Sequence, residues 1–188
     1  MTFETLLSIC LGIGLSASVG FRVFVPLFAL SLASYFNIWE LNDSWSWVGS
    51  ASALVVLGVA TLFEIFAYYM PYVDNLLDTI TVPLATIAGT AIMVSTVADL
   101  SPVFTWALAI IAGGGTAAAV AGTTSATRLA STTATAGIAN PLVATLETVT
   151  SIVGSVLAVF LPIVAVIFTV IMGILIYKAF KKFKPNRA

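Results

Sequence analysis

The sequence predicts an all-α fold, a polytopic membrane helical bundle of about five to six membrane segments. Three observations lead there. Of the 188 residues, 60% are hydrophobic and only 8% are charged, against about 25% charged residues in an ordinary soluble domain. The mean hydropathy is +1.12, and the apolar runs reach the roughly 20 residues that a helix needs to cross the hydrocarbon layer. Glycines and prolines interrupt those runs, which predicts broken or re-entrant helices. The length accommodates one domain, residues 1–177, followed by a basic tail at 178–188, and leaves no room for a second catalytic domain.

Taken in order, residues 4–35 form the first apolar stretch, longer than a single crossing requires and interrupted by Gly12, Gly14, Gly20, Arg22 and Pro26. No basic residue precedes it, so it reads as a retained membrane element and not a cleavable signal. Trp39, Trp45 and Trp47, with Glu40 and Asp43 among them, form a loop at headgroup level. A second span covers 47–70 and contains Glu64. Pro71 ends it, and the polar stretch 72–81 reads as an insert before a third span at 82–98. Phe63, Phe66, Tyr68, Tyr69 and Tyr72 read as an interfacial aromatic belt. Ser101-Pro102 turns the chain into a fourth element built of Ala, Gly, Ser and Thr, where Gly113-Gly114-Gly115 serves close helix packing or a hinge. Asn140-Pro141 marks another turn, Glu147 lies in the connection, and 151–177 is the last span, free of charge.

The basic residues are unevenly placed. Lys178, Lys181, Lys182, Lys184 and Arg187 supply five of the seven and set the C-terminus on the cytoplasmic side of a bacterial inner membrane. Only Arg22 and Arg128 remain for the rest of the chain. An ionised side chain facing lipid costs several kcal/mol, so Arg22, Glu64, Asp74, Asp78, Arg128 and Glu147 should turn inward and meet one another, with Asn75 beside them. Asp74 and Asp78 share a helical face, and Glu64 would share it but for Pro71. Carboxylates so placed carry a proton or cation, while the arginines suit anionic groups or a gate. The competing reading is purely structural: the same charges neutralise one another inside the bundle. Gly20, Pro26, Pro71, Gly114, Asn140 and Pro141 are the candidate helix breaks or hinges.

Two halves, 4–81 and 82–177, echo each other. Pro71 precedes Leu77-Asp78-Thr79-Ile80-Thr81, and Pro141 precedes Leu146-Glu147-Thr148-Val149-Thr150. Either chance or duplication accounts for this, and a duplicated unit with an odd number of crossings would give inverted pseudo-repeats.

At Gly20-Phe21-Arg22, Pro26, Glu64, Pro71-Tyr72-Val73-Asp74-Asn75, Asp78, Thr127-Arg128, Asn140-Pro141 and Glu147 the chain resembles domain of unknown function family 4126, small bacterial integral-membrane proteins. The resemblance covers nearly the full length. It implies additional charges near these positions, where this chain has Tyr68-Tyr69-Met70, uncharged residues before Thr127, and Thr148. It implies no activity.

The absence of His and the single Cys10 exclude His-ligated haem, Cys/His zinc sites, Ser-His-Asp or Cys-His nucleophile pairs and an internal disulfide. No metal site, cofactor or catalytic residue is expected, and an enzyme is the less favoured class. The leading expectation is a transporter or channel-like protein moving a small solute or ion through a charged interior site. The alternative is a non-catalytic scaffold or lipid-binding protein. The expected partners are the lipid bilayer, a small solute or ion, and a second copy in a homo-oligomer, but no nucleic acid.

Overall fold

A computed structural model describes residues 2–70, 73–97 and 100–183, the side chains of 175–177 and 179–183 excepted. It is 86% helical, with no strand among the described residues. The helices are α1 (Phe3–Val19), α2 (Phe24–Tyr35), a 3-10 segment (Asp43–Gly49), α3 (Ala51–Ala67), α4 (Val73–Thr96), α5 (Pro102–Leu108), a π-helical turn (Ala109–Gly114), α6 (Gly115–Thr135), α7 (Asn140–Phe160) and α8 (Pro162–Phe183). The α4 helix, the continuous run from Pro102 to Thr135, and α7 are each long and apolar enough to cross a membrane. The 3-10 segment with α3, bent by 63°, makes a fourth candidate. Large apolar side chains on α3, including Val55, Val56, Leu62, Phe63 and Phe66, point outward. Water would penalise that surface, and lipid would not. The architecture is compatible with a membrane-embedded protein.

Helix directions follow from the cross-contacts. Asp74 at the start of α4 touches Asn140 at the start of α7. Near their other ends, Val94 and Ser95 of α4 bind Asn42, and Val159 of α7 accepts from Trp39. So α4 and α7 run parallel, and the segment 39–42 covers their C-terminal end. The α1–α2 pair is a hairpin that enters from that same end. Gly12 of α1 lies against Met93 and Thr96, the tip reaches Glu147 through Arg22, and the chain after α2 returns to Val159 at Trp39.

Hydroxyls and small residues hold the hairpin in place. Ser16 donates to the Gly89 carbonyl at 3.0 Å, Ser151 donates to the Ser18 carbonyl at 3.0 Å, and Thr124 donates to the Gly20 carbonyl at 3.2 Å. A Cβ on Gly14 would stand 2.9 Å from both Ala158 and Ala165. Only small side chains allow such approach, which is how helices associate where no hydrophobic drive separates them from lipid. Around the contacts lies an aliphatic core of Leu11, Leu15, Val19, Leu30 and Ile92.

Several expectations are corrected. Residues 73–81 are not a polar insert but the first turns of α4: Asp74 sits where the helix dipole favours an acid, and Pro83 is absorbed inside the helix. The last apolar run is not one span from 151 to 177. It breaks at Leu161–Pro162, where proline has no N–H to offer, and α7 begins earlier, at Asn140, so Glu147 lies inside a helix. The second span starts with a 3-10 segment, and Ser50 caps α3 by accepting from the Ala53 amide. Of the proposed breaks, Gly20 ends α1. Pro26 does not break α2, because it occupies the first turn, where an N–H would be unpaired anyway. Gly114 does not break its helix either, since a π turn carries α5 into α6. Asn140 and Pro141 open α7 after a reversal made by Ala136 (φ 52°) and Gly137 (φ 84°). Pro71 and Tyr72 lie outside the described residues, as do Lys184 and Arg187.

Candidate functional site

The break between α1 and α2 delivers Arg22 into the bundle, where it is 1% exposed. Its guanidinium is gripped from four sides. Nε donates to Thr148 Oγ1 at 3.0 Å, Nη1 to the Phe21 carbonyl at 3.0 Å and to Glu147 Oε2 at 3.0 Å, and Nη2 to the Ala144 carbonyl at 2.8 Å. Ala144, Glu147 and Thr148 share one face of α7, one helical turn apart, which presents a carbonyl, a carboxylate and a hydroxyl together.

Arg128, from α6, reaches the same carboxylate. Its Nε donates to both oxygens of Glu147 at 3.1 and 3.0 Å, and Nη2 pairs with Oε2. Nη1 makes a looser contact to Asp78 Oδ1 of α4 at 3.6 Å. One buried carboxylate thus serves two arginines, and the second acid, Asp78, completes neutrality from a position whose side chain is 20% exposed. Glu147 lies two turns inside α7, about 10 Å from its start at 1.5 Å per residue. The cluster therefore sits on the Asn140 side of the midpoint of α7, about 5 Å short of it.

Tyr68, at the end of α3, is the member that sequence reasoning missed. It is buried, and both guanidinium carbons lie over its ring, Arg22 at 3.9 Å and Arg128 at 4.0 Å from the centroid. Stacking on an aromatic face offsets part of the cost of bringing two cations close together. Its hydroxyl is hydrogen-bonded to Thr81 Oγ1 at 2.8 Å. The available signal was its spacing of four from Glu64, which sets it on the inward face of α3, while Phe63 and Phe66 face outward.

Glu64, expected to join Asp74 and Asp78 along one path, goes elsewhere. Its two oxygens accept the Val23 amide at 2.7 Å and the Phe24 amide at 2.9 Å. The start of α2 has no side-chain cap of its own, so Glu64 supplies one from a different helix, satisfying amides that the helix geometry leaves orphaned. Asp74 is likewise separate: Oδ1 accepts the Asn75 amide at 2.8 Å and Oδ2 accepts Asn140 Nδ2 at 3.2 Å. The Asn75 side chain is exposed and joins neither group.

Two cavities meet at Tyr68. A cleft of about 450 Å³ between the ends of α3 and α6 and the starts of α4 and α7 is lined by Tyr68, Tyr69, Asp74, Asn75, Thr132 and Asn140 among others. A smaller one of about 330 Å³ is lined by Tyr68, Glu64, Thr81 and apolar neighbours. Among the described residues no three Asp, Glu, His or Cys side chains converge on a metal position.

The profile of the family described as Domain of unknown function (DUF4126) matches residues 9–182, the segment that contains every charged residue of the cluster. The chain belongs to this family. Neither the curated proteins nor the solved structures provide a match to it. In this DUF4126 chain the break at Gly20–Phe21–Arg22, the α3 carboxylate and the α7 carboxylate are geometrically linked: Glu64 fixes the backbone that aims Arg22 at Glu147.

That linkage gives a first prediction. In Glu64→Gln one amide N–H of α2 faces an NH₂ group instead of an oxygen, at a cost of roughly 1–3 kcal/mol. The detergent-solubilised variant should melt several degrees lower, at about 2–4 °C per kcal/mol for a chain of this size. An unchanged melting curve would remove Glu64 from its capping role.

Proposed function

We propose that this protein is a membrane carrier that admits a small solute or ion to the cleft and passes it along the charged cluster. The observation that carries the reading is the position of Tyr68. Its ring borders both cavities and bears both guanidiniums, so a rotation of this one side chain joins the cleft to the cluster. Asp78 supports the reading, since it holds Arg128 by the loosest contact in the group, at 3.6 Å, and is its most exposed member. It is the carboxylate able to exchange its partner for an incoming charge.

In this reading α3, α4, α5–α6, α7 and α8 are five crossings of a bacterial inner membrane, and the α1–α2 hairpin is re-entrant. With the basic tail in the cytoplasm, the cleft opens to that side. The echoing segments around Asp78 and Glu147 begin helices that run in the same direction. That favours a parallel duplication over an inverted one.

The test is uptake into proteoliposomes of a panel of inorganic ions, organic acids and amines. Asp78→Asn should lower transport roughly tenfold or more, the kinetic equivalent of about 1.4 kcal/mol, while its melting temperature stays close to that of the intact protein. Absence of uptake of every solute by the intact protein would end the carrier reading.

The saturation of Arg22, 1% exposed and held by four hydrogen bonds, favours a second reading. Here the cluster is a structural lock in a scaffold or lipid-binding protein. Oligomer contacts would then use the apolar groove of about 510 Å³ bounded by α1, α6, α7 and α8. Under either reading the partners are lipid, a solute or a second copy, and not a nucleic acid.

A further inference from the structure

Charge accounting around the cluster leaves one carboxylate over. Arg22 and Arg128 are matched by Glu147 and Asp78, and Glu64 is held by two amides. Asp74 is 6% exposed and has no basic partner among the described residues. The start of α4 offsets part of its charge, and its two hydrogen bonds leave about half of a carboxylate's lone-pair positions open. A buried anion in this condition calls for a cation or a donor.

The neighbouring amide carries the same demand independently. Asn140 is 7% exposed. Its Nδ2 donates to Asp74 Oδ2 at 3.2 Å and to Thr132 Oγ1 at 3.0 Å. The carboxylate fixes which way the amide points, because the flipped form would set its oxygen against Asp74 Oδ2. The oxygen Oδ1 is then buried without a hydrogen-bond partner. Buried acceptors of this kind are rare unless a ligand or water completes them.

Both side chains line the cleft of about 450 Å³, which falls within the range of roughly 300–1,000 Å³ typical of small-molecule sites. Asp74 is the one acid among its described lining residues, and no three acidic side chains converge there, so it lacks the carboxylates that hold a bare divalent ion. A primary ammonium group fits better: one positive charge and three N–H donors in a compact head, set against the single carboxylate of Asp74.

We propose that the cleft is a binding site for a small primary amine in its ammonium form, with Asp74, positioned by the Asn140 amide, as its counter-ion. The assignment rests on the carrier reading, whose solute class it names, but its test does not require transport. The probe is methylammonium chloride, added to the detergent-solubilised full chain during thermal melting. Sodium chloride and tetramethylammonium chloride at equal concentration serve as comparisons, the latter carrying the charge without any N–H. At a hundred times its dissociation constant methylammonium should raise the melting temperature by roughly 5–10 °C, saturably, and the comparisons should not. Asp74→Asn should abolish the shift.

No shift in the intact protein overturns the site. So does an equal shift in Asp74→Asn, or an equal response to sodium or tetramethylammonium. Should Asp74→Asn fail to fold, Asn75→Lys replaces it. Position 75 is exposed at the cleft, and a tethered ammonium there should cancel the methylammonium shift, whereas a retained shift refutes the proposal. Amine binding without uptake of any solute would leave the site standing and remove the carrier reading. Uptake of another solute without amine binding would do the reverse.

Discussion

Glu147→Ala is expected to destabilise the protein by about 3–5 kcal/mol, the range found when one partner of a buried ion pair is deleted, and more than any other side-chain deletion in the cluster. The carboxylate is the counter-ion of two arginines that are 1% and 3% exposed. Neither guanidinium can shed its proton to escape burial, so the alanine variant must accommodate two adjacent positive charges with Asp78 as the remaining acid. Glu147→Gln should fall between, because its amide oxygen still accepts one N–H while its NH₂ group meets another donor. Asp78→Asn should cost least, since the contact it removes is long and partly solvated. The double variant Glu147→Gln with Arg128→Gln should recover part of the loss by removing one of the two unpaired charges. Chemical unfolding in detergent ranks the four. If Glu147→Ala proves no less stable than Asp78→Asn, the shared-carboxylate arrangement is not what holds α1, α6 and α7 together.

How far the sequence reveals this arrangement depends on the scale of the interaction. Scarcity alone singles out Arg22, Arg128, Asp78 and Glu147, because lipid tolerates so few ionised groups that each needs an inward partner. Who pairs with whom is a matter of tertiary contact. Arg22 and Glu147 are far apart in sequence and meet only because the hairpin tip is carried across to α7. Glu64 looks like a mobile carrier for the same reason, since a carboxylate that caps another helix has no local signature. Tyr68 disappears among its aromatic neighbours, and only its inward face separates it from an interfacial belt. The span limits fail differently. Hydropathy runs through Pro162 unchanged, whereas the backbone cannot, and the polar residues that open α4 resemble a loop until Asp74 is seen buried against Asn140.

Gly89→Leu should be the most damaging substitution outside the cluster. A Cβ at Gly89 would stand 2.8 Å from the Gly113 carbonyl oxygen and 2.6 Å from Ala117 Cβ, and one at Gly113 would stand 2.5 Å from the Gly89 carbonyl oxygen. The obstacles to Gly89 are a backbone carbonyl and an alanine Cβ, neither of which has a rotamer to change, so α4 must move away from the π turn and α6. Overpacking typically costs about 1–3 kcal/mol, and this position belongs at the upper end, because the same carbonyl of Gly89 also accepts from Ser16 of α1. Three elements are joined at one point. Displacing α4 further carries Asp74 and Asp78 with it, and the 3.6 Å contact to Arg128 is the one least able to follow. Gly122→Leu is the control: nothing lies within 4 Å of its Cβ position, and replacing glycine within a helix gains up to about 1 kcal/mol. At about 2–4 °C per kcal/mol, Gly89→Leu should melt well below the parent and Gly122→Leu at or slightly above it. Parental melting behaviour in Gly89→Leu would mean that the α4 crossing is not the contact that sets the spacing of the bundle.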